Sequence, residues 1–146
     1  MSTWRVDAHP DRVELPTGHH MRPIRADDVD IDYQAVMGSR DRLWAKYGET
    51  WGWPPATMSF EADREDLARH EAEAEANEAF NYAIFDADET ALLGCIYVDP
   101  SDTHDAQVSW WVVDPLVGSE IERTLDAFVP GWLRETWGFT NVDYSP

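Results

Sequence analysis

The residues best suited to chemistry in this chain lie between Asp114 and Glu120, where Asp-Pro-Leu-Val-Gly-Ser-Glu follows an apolar strand pattern and precedes a helical one. A glycine-containing turn that opens a helix presents free amide hydrogens at the positive helix end, so it suits a phosphate or another anion. Upstream, FNYAIFDADETALLGCIYVDP and AQVSWWVV read as three strands leading into that turn, which makes residues 80–119 the best functional clue. A second segment, GETWGWPPAT at 48–57, sets Trp51 and Trp53 in a loop stiffened by Pro54 and Pro55. Two indole rings in such a loop either plug a gap in the core or wall a ligand pocket. Cys95 stands in an apolar strand between Gly94 and Ile96 with no electropositive neighbour, so it reads as core and not as a nucleophile. His19–His20 and the cluster Asp102, His104, Asp105 lack a metal-ligand spacing, and no metal is expected.

These residues need elements to position them. Residues 1–18 mix Pro10, Pro16, Gly18 and charges without periodicity, which predicts an irregular lead-in docked through Trp4 and Val13, ahead of a single domain at 19–146. Met21 to Arg25 reads as a first strand, confined by Pro23 to an edge or the first position. Asp27 and Asp28 then sit where N-cap carboxylates would accept helix amides. Val29, Tyr33, Val36, Met37, Leu43, Trp44 and Tyr47 recur at helical steps, with room for a break at Gly38–Ser39. Ser59 predicts the N-cap of a second helix over 59–80, whose acidic run, including Asp63, Asp66 and Glu73, reads as a solvated face.

Strands at 80–86, 91–99 and 106–113 predict an antiparallel meander with Gly94 as a bulge and with Trp110 and Trp111 on opposite faces. From Val117 a stripe through Ile121, Leu125, Phe128, Val129, Trp132 and Leu133 keeps its phase across Pro130, which predicts a kinked helix ending at Gly138. A short strand at 140–144 follows, after a crossover long enough for parallel pairing. The expected class is α/β in the α+β sense: a mixed, mostly antiparallel sheet flanked by helices, in the order β-α-α-β-β-β-α-β.

Composition narrows the partners. With 146 residues and 43% hydrophobic content, the chain can bury one core. It carries 29 acidic residues against 11 basic ones, and Lys46 is the only lysine. Either this is a generic acidic protein, or it is adapted to a cytosol of high salt, where self-repulsion is screened within about 3 Å at 1 M. Scattered arginines and a net charge of -18 exclude a phosphate-backbone surface, so nucleic acid is not an expected partner. A single cysteine fits a reducing compartment. No apolar run reaches the roughly 18 residues of a membrane span. The opening MSTWRVDAHPDRVELP lacks a signal core, so a cytoplasmic protein without a membrane partner is expected.

The order of elements and the wording of four segments resemble the GNAT N-acetyltransferase superfamily, particularly the branch related to ribosomal-protein acetyltransferases. MRPIRADDVD is similar to its opening strand and first helix, FNYAIFDADETALLGCIYVDP to its central hairpin and AQVSWWVVDP to its fourth strand. WLRETWGFTNVDYS is similar to the end of its third helix and its fifth strand, so the resemblance spans about residues 19–144. It implies acyl-CoA-dependent transfer of an acetyl group to a small amine or a protein N-terminus, with acetyl-CoA as co-substrate in the cleft where the fourth and fifth strands splay.

On that resemblance, Leu116, Val117, Gly118 and Ser119 would cradle the pyrophosphate with Arg123 one turn on, and the thioester carbonyl would face the backbone of Trp111, Val112 and Val113. The family's Q/R-x-x-G-x-G/A cradle is reduced here: Gly118 stands for the first glycine and Glu120 replaces the second, setting a carboxylate against a pyrophosphate. Gln107 stands where the branch often has a glutamate base and cannot take a proton. Asp99, His104 and Glu49 remain as proton acceptors, while Tyr97 and Ser109 could contact substrate beside Trp51 and Trp53. The family normally continues beyond the fifth strand, so that strand is expected to be an exposed edge covered by a homodimer. Two readings stay open: an enzyme, and a GNAT-shaped module that has lost catalysis and serves for ligand binding or dimerisation.

Overall fold

Six strands lie side by side in chain order in the computed structural model, which describes residues 6–146. They are β1 (Val13–Glu14), β2 (His20–Pro23), β3 (Phe80–Phe85), β4 (Leu92–Asp99), β5 (Ala106–Val112) and β6 (Val142–Asp143). Every neighbouring pair is antiparallel except β5 and β6, which run parallel. The long connection before β6 permits that pairing, because it holds a whole helix. The helices are α1 (Val29–Gly38), α2 (Arg40–Trp51), α3 (Phe60–Glu75) and α4 (Glu120–Trp132). Mixed sheet and flanking helices agree with the expected class.

Alternation along the strands gives the sheet two apolar faces. Tyr82, Ile84, Ile96, Val98 and Val108 pack with Ile121, Leu125 and Val129 of α4. Ala83, Cys95, Tyr97 and Trp111 point the other way, onto Val36, Leu43, Tyr47 and Leu67 of the first three helices. Both faces are covered, which is why the central strands read as nearly continuous apolar runs. Trp110 packs against the α4 side and Trp111 against the other, as their adjacent positions require.

The lead-in is more regular than expected. Gly18, at φ +89, reverses the chain so that Val13 pairs with Met21 and Glu14 with His20. The Tyr82 hydroxyl also donates to the Pro10 carbonyl at 2.8 Å. Val13 is among the side chains that pack on the core, and Trp4 lies outside the described residues.

Asp28 does not cap α1. A 3-10 turn (Ala26–Asp28) precedes that helix, and the Asp28 carboxylate turns back to accept both Arg22 guanidinium nitrogens, at 2.8 and 3.0 Å, and the Arg25 amide at 2.8 Å. Arg22 is buried, so the pairing satisfies a charge that would otherwise be costly. The first long helix breaks at Ser39, whose hydroxyl accepts the Asp114 amide at 2.8 Å. That contact pins the end of β5 to the junction of α1 and α2.

The register skips at Leu93, between the pairs Ile84 with Gly94 and Phe85 with Leu92. Gly94 is needed beside the skip because a Cβ there would lie 2.1 Å from the Trp111 carbonyl oxygen. After Pro130 the α4 helix passes into one turn of π-helix (Leu133–Trp137), ended by Gly138 at φ +76.

Candidate active site

Helical spacing overrides charge on α3. Phe60, Asp63, Leu67, His70 and Ala74 step by three and four residues and so share one face. Leu67 and Ala74 face the core, and they take Asp63 and His70 inward with them. Asp63 is therefore 2% exposed, which corrects its reading as part of a solvated run. On α1, Asp32 falls between Val29 and Val36 on the buried stripe and is 3% exposed.

These groups roof a cavity of about 710 Å³ beside the C-terminal end of β4. Asn81, Tyr97 and Asp99 form its floor, with Gln107 paired opposite Asp99. Trp51 and Trp53 wall one side of the cavity, and their rings pack around Tyr47 and Tyr97.

The electrostatics of the cavity are those of crowded acids. Burial, then hydrogen bonding with Asp63, pushes the Asp32 carboxyl well above its ordinary range, and burial raises Asp63 as well. Asp99 is pushed up to about 6, chiefly by burial, with His70 opposing and Glu73 adding to the rise. Arg69 is taken up by Asp66 at 3.6 Å and Glu73 at 3.4 Å, and His70 by Glu73 at 3.6 Å. Among the described residues no ion pair reaches Asp32, Asp63 or Asp99. Tyr97 accepts a hydrogen bond from Trp111 Nε1 at 2.9 Å, and burial holds its hydroxyl protonated.

A second cleft, of about 430 Å³, opens where β6 ends. The parallel pair holds for two residues, Ala106 with Val142 and Gln107 with Asp143, after which no strand among the described residues lies beside the outer edge of β5. Lys46, Ser109, Trp110, Glu122, Asp126 and Tyr144 line this cleft. Two cations from α2 cover the open carbonyls. Lys46 Nζ donates to Trp110 at 2.7 Å, and Arg42 donates to Val112 and, at 2.7 Å, to the Asp114 carboxylate.

The backbone groups expected to meet a thioester do not all face this edge. The Trp111 carbonyl faces Gly94, and the Val113 amide donates to Leu93 at 2.9 Å, so both turn toward β4. Alternate residues of a strand direct their polar groups to opposite sides, which leaves Val112 on the open edge.

The loop after β5 is closed on itself. Leu116 N donates to Val113 O at 2.9 Å, Val117 N to Asp114 O at 3.2 Å and Ser119 N to Leu116 O at 3.0 Å. The remaining amide, of Gly118, donates to the Glu122 carboxylate at 2.8 Å, while Arg123 donates to the Gly118 carbonyl. A carboxylate on that amide shows that the position suits an anion and that one of the chain's own side chains fills it. A diphosphate could be held here by the first-turn amides of α4, which no helix pairs internally, by Arg123, and by Gly118 once Glu122 turns away. Glu120 and Glu122 would oppose it.

Tyr47 joins the two cavities. Its ring stacks on Trp51 with centroids 4.4 Å apart in the first, and its hydroxyl lies 3.0 Å from Ser109 Oγ in the second. Ser109 thus lines the cleft and not the acidic cavity. Gln107 lines the cavity while its Nε2 donates to the Ser145 carbonyl at 2.8 Å. Glu49 is exposed on α2, and His104 bonds Thr103 in the turn between β4 and β5, so neither reaches the cavity. Asp105 holds the amides of Thr140 and Asn141, a structural task. Cys95 is buried, and burial pushes its thiol well up.

No family model matches this chain, and no curated protein matches it in sequence. Its fold does match solved GNAT acetyltransferases. RimL, a ribosomal L7/L12 alpha-N-protein acetyltransferase in complex with coenzyme A, aligns at TM-score 0.68 and 18% identity, over 85% of this chain and 68% of its own. Ribosomal-protein-S5-alanine acetyltransferase from Vibrio fischeri aligns at 0.65 and 16% identity, over 85% and 68%. FdhC, a nucleotide-linked sugar GNAT, aligns at 0.58 and 14% identity, over 94% and 71%. At these identities the likeness establishes the fold, and the neighbours differ in the acceptor class their names carry.

Proposed function

We propose, from the GNAT fold as premise, that this chain is an acyl-CoA-dependent N-acetyltransferase whose acceptor amine enters the acidic cavity while the donor lies along the open edge of β5. One observation carries the reading: the two cavities flank the same strand, joined by Tyr47 and Ser109, with Asp99 at the floor of one.

An alkylamine has a pKa near 10 and is protonated at neutral pH, so the reaction needs a proton acceptor close by. Asp99, pushed up to about 6, is a better acceptor than a solvated carboxylate. Asp99 takes one proton from the ammonium, the freed amine nitrogen bonds to the carbonyl carbon of the thioester, the C–S bond breaks with its electron pair on sulfur, and the nitrogen's second proton passes to that sulfur, which leaves as the thiol. The donor supplies the acyl group. Val112 lies where an edge-bound donor would run, and Arg123 with the first turn of α4 would hold its diphosphate.

A second reading, a GNAT-shaped module without catalysis, is favoured by the loop itself, since four of its amides are already bonded within the chain. Calorimetric titration of acetyl-CoA in about 1 M KCl, where surface repulsion is screened, separates the two. Micromolar binding followed by acetyl transfer to an amine supports the enzyme, and silence at millimolar ligand supports the module.

A further inference from the structure

We propose that the acidic cavity is built for an acceptor bearing two ammonium groups, an aliphatic diamine; the proposal rests on the transferase reading for the fate of that ligand and not for its binding. Among the described residues no cation pairs with three carboxyls of this cavity, Asp32, Asp63 and Asp99, whereas the cations nearby are spent on Asp66 and Glu73. Among the described residues, Asn81 Oδ1 is buried without a hydrogen-bond partner and Asp63 Oδ2 meets no N–H donor, its carboxyl being bonded only to that of Asp32, and both residues line the cavity. A buried acceptor left without a donor carries an uncompensated desolvation penalty, so a ligand that brings N–H donors recovers a penalty the fold already carries.

The general acidity of the chain does not explain this. Salt adaptation acts on carboxylates that hold water, and Asp32 and Asp63 are buried. Nor do the acids converge on a metal, because among the described residues no group of three or more His, Cys, Asp or Glu could hold one. Trp51, Trp53 and Tyr97 add aromatic faces, which attract an organic cation and pack against its methylenes.

A peptide N-terminus fits less well. It carries one ammonium, and its carbonyl oxygens would meet a wall that offers mainly acceptors. A diamine places one ammonium against Asp63 and Asn81 and its other nitrogen against Asp99. The nitrogen at Asp99 gives one proton to that carboxylate and bonds to the acyl carbon of the acyl-CoA thioester; the C–S bond breaks with its pair on sulfur, which takes the nitrogen's second proton and leaves as the thiol. The distal ammonium keeps its charge throughout.

The test is calorimetric titration of the protein with diaminobutane, with butylamine and with a serine-terminated tripeptide amide, without an acyl donor, in dilute buffer and in about 1 M KCl. Diaminobutane should bind at least about tenfold more tightly than butylamine. Asp63→Asn should bring it down to the butylamine level. Asp99→Asn, on another element, should erode the same preference, so a folding failure of one variant leaves the other to decide. Equal affinities for the two amines, no binding of either, or stronger binding of the tripeptide would overturn the proposal. Preferred diamine binding without acetyl transfer would remove the transferase reading and leave the cavity assignment standing. Acetyl transfer to the tripeptide but not to diaminobutane would do the reverse.

Discussion

Glu122→Gln should tighten acetyl-CoA binding about tenfold in dilute buffer. The Glu122 carboxylate lies 2.8 Å from the Gly118 amide, so an anion arriving there must displace it or sit a few ångströms from its charge. Two unit charges about 6 Å apart repel by about 0.7 kcal/mol at a dielectric of 80 and about 2.8 kcal/mol at 20. That range is a factor of about three to a hundred in affinity, with tenfold inside it. Glutamine keeps the shape and one acceptor oxygen but removes the charge.

The variant also loses a favourable carboxylate from the first turn of α4, worth about 0.3–1 kcal/mol, and should melt slightly earlier. In about 1 M KCl, with screening over roughly 3 Å, the gain in affinity should shrink. Calorimetry on both proteins at both salt concentrations gives the answer. Unchanged or weaker binding by the variant in dilute buffer would refute the reasoning, as would a gain that grows with salt.

Acetyl transfer should decline as pH falls through about 6, where Asp99 takes up its proton, and Asp99→Asn should lower the rate by about 10²–10⁴-fold and remove that limb; a variant with the parent pH profile counts against Asp99. Because the folded Asp99 carboxyl titrates above its ordinary 3.8, the folded state binds the proton more tightly, and stability is lost as pH rises from 3.8 through about 6. Thermal melts should therefore find Asp99→Asn more stable than the parent at pH 7 and lose that advantage below pH 4; an advantage independent of pH contradicts this. With a net charge of -18, the melting temperature should rise steadily with KCl, and an unchanged value rules out salt adaptation. Among the described residues β6 ends the sheet with its outer edge unpaired, so sedimentation of micromolar protein in about 1 M KCl should find a dimer, and a monomer would dismiss that expectation.

The central strands and α4 could be read from the sequence because period and punctuation agree there. The alternation around Tyr82 and Ile84, the glycine at 138 and the stripe from Ile121 to Trp132 all point the same way. The acidic cavity could not be read by charge, since Asp63 is chemically identical to its solvated neighbours. Its spacing from Phe60 and Leu67 was the available signal, and the same spacing marks His70. Asp32, three residues after Val29, carried that signal on α1. The loop hid its state for another reason: the bond from Gly118 to Glu122 depends on a side-chain rotamer. The outward turn of Val112 between Trp111 and Val113 depends on pairing with β4, which residue types alone do not specify.

The contact between Lys46 and the Trp110 carbonyl makes the cleft addressable by simple reagents. Ten arginines and one lysine leave the chain a single side-chain amine, and it stands at the mouth of this cleft. Burial of the ammonium and the charge of Arg42 lower its pKa, so more of it is unprotonated and reactive than an ordinary surface lysine. An amine-directed label therefore marks one side chain, and the rate of labelling becomes a footprint of whatever lies along β5.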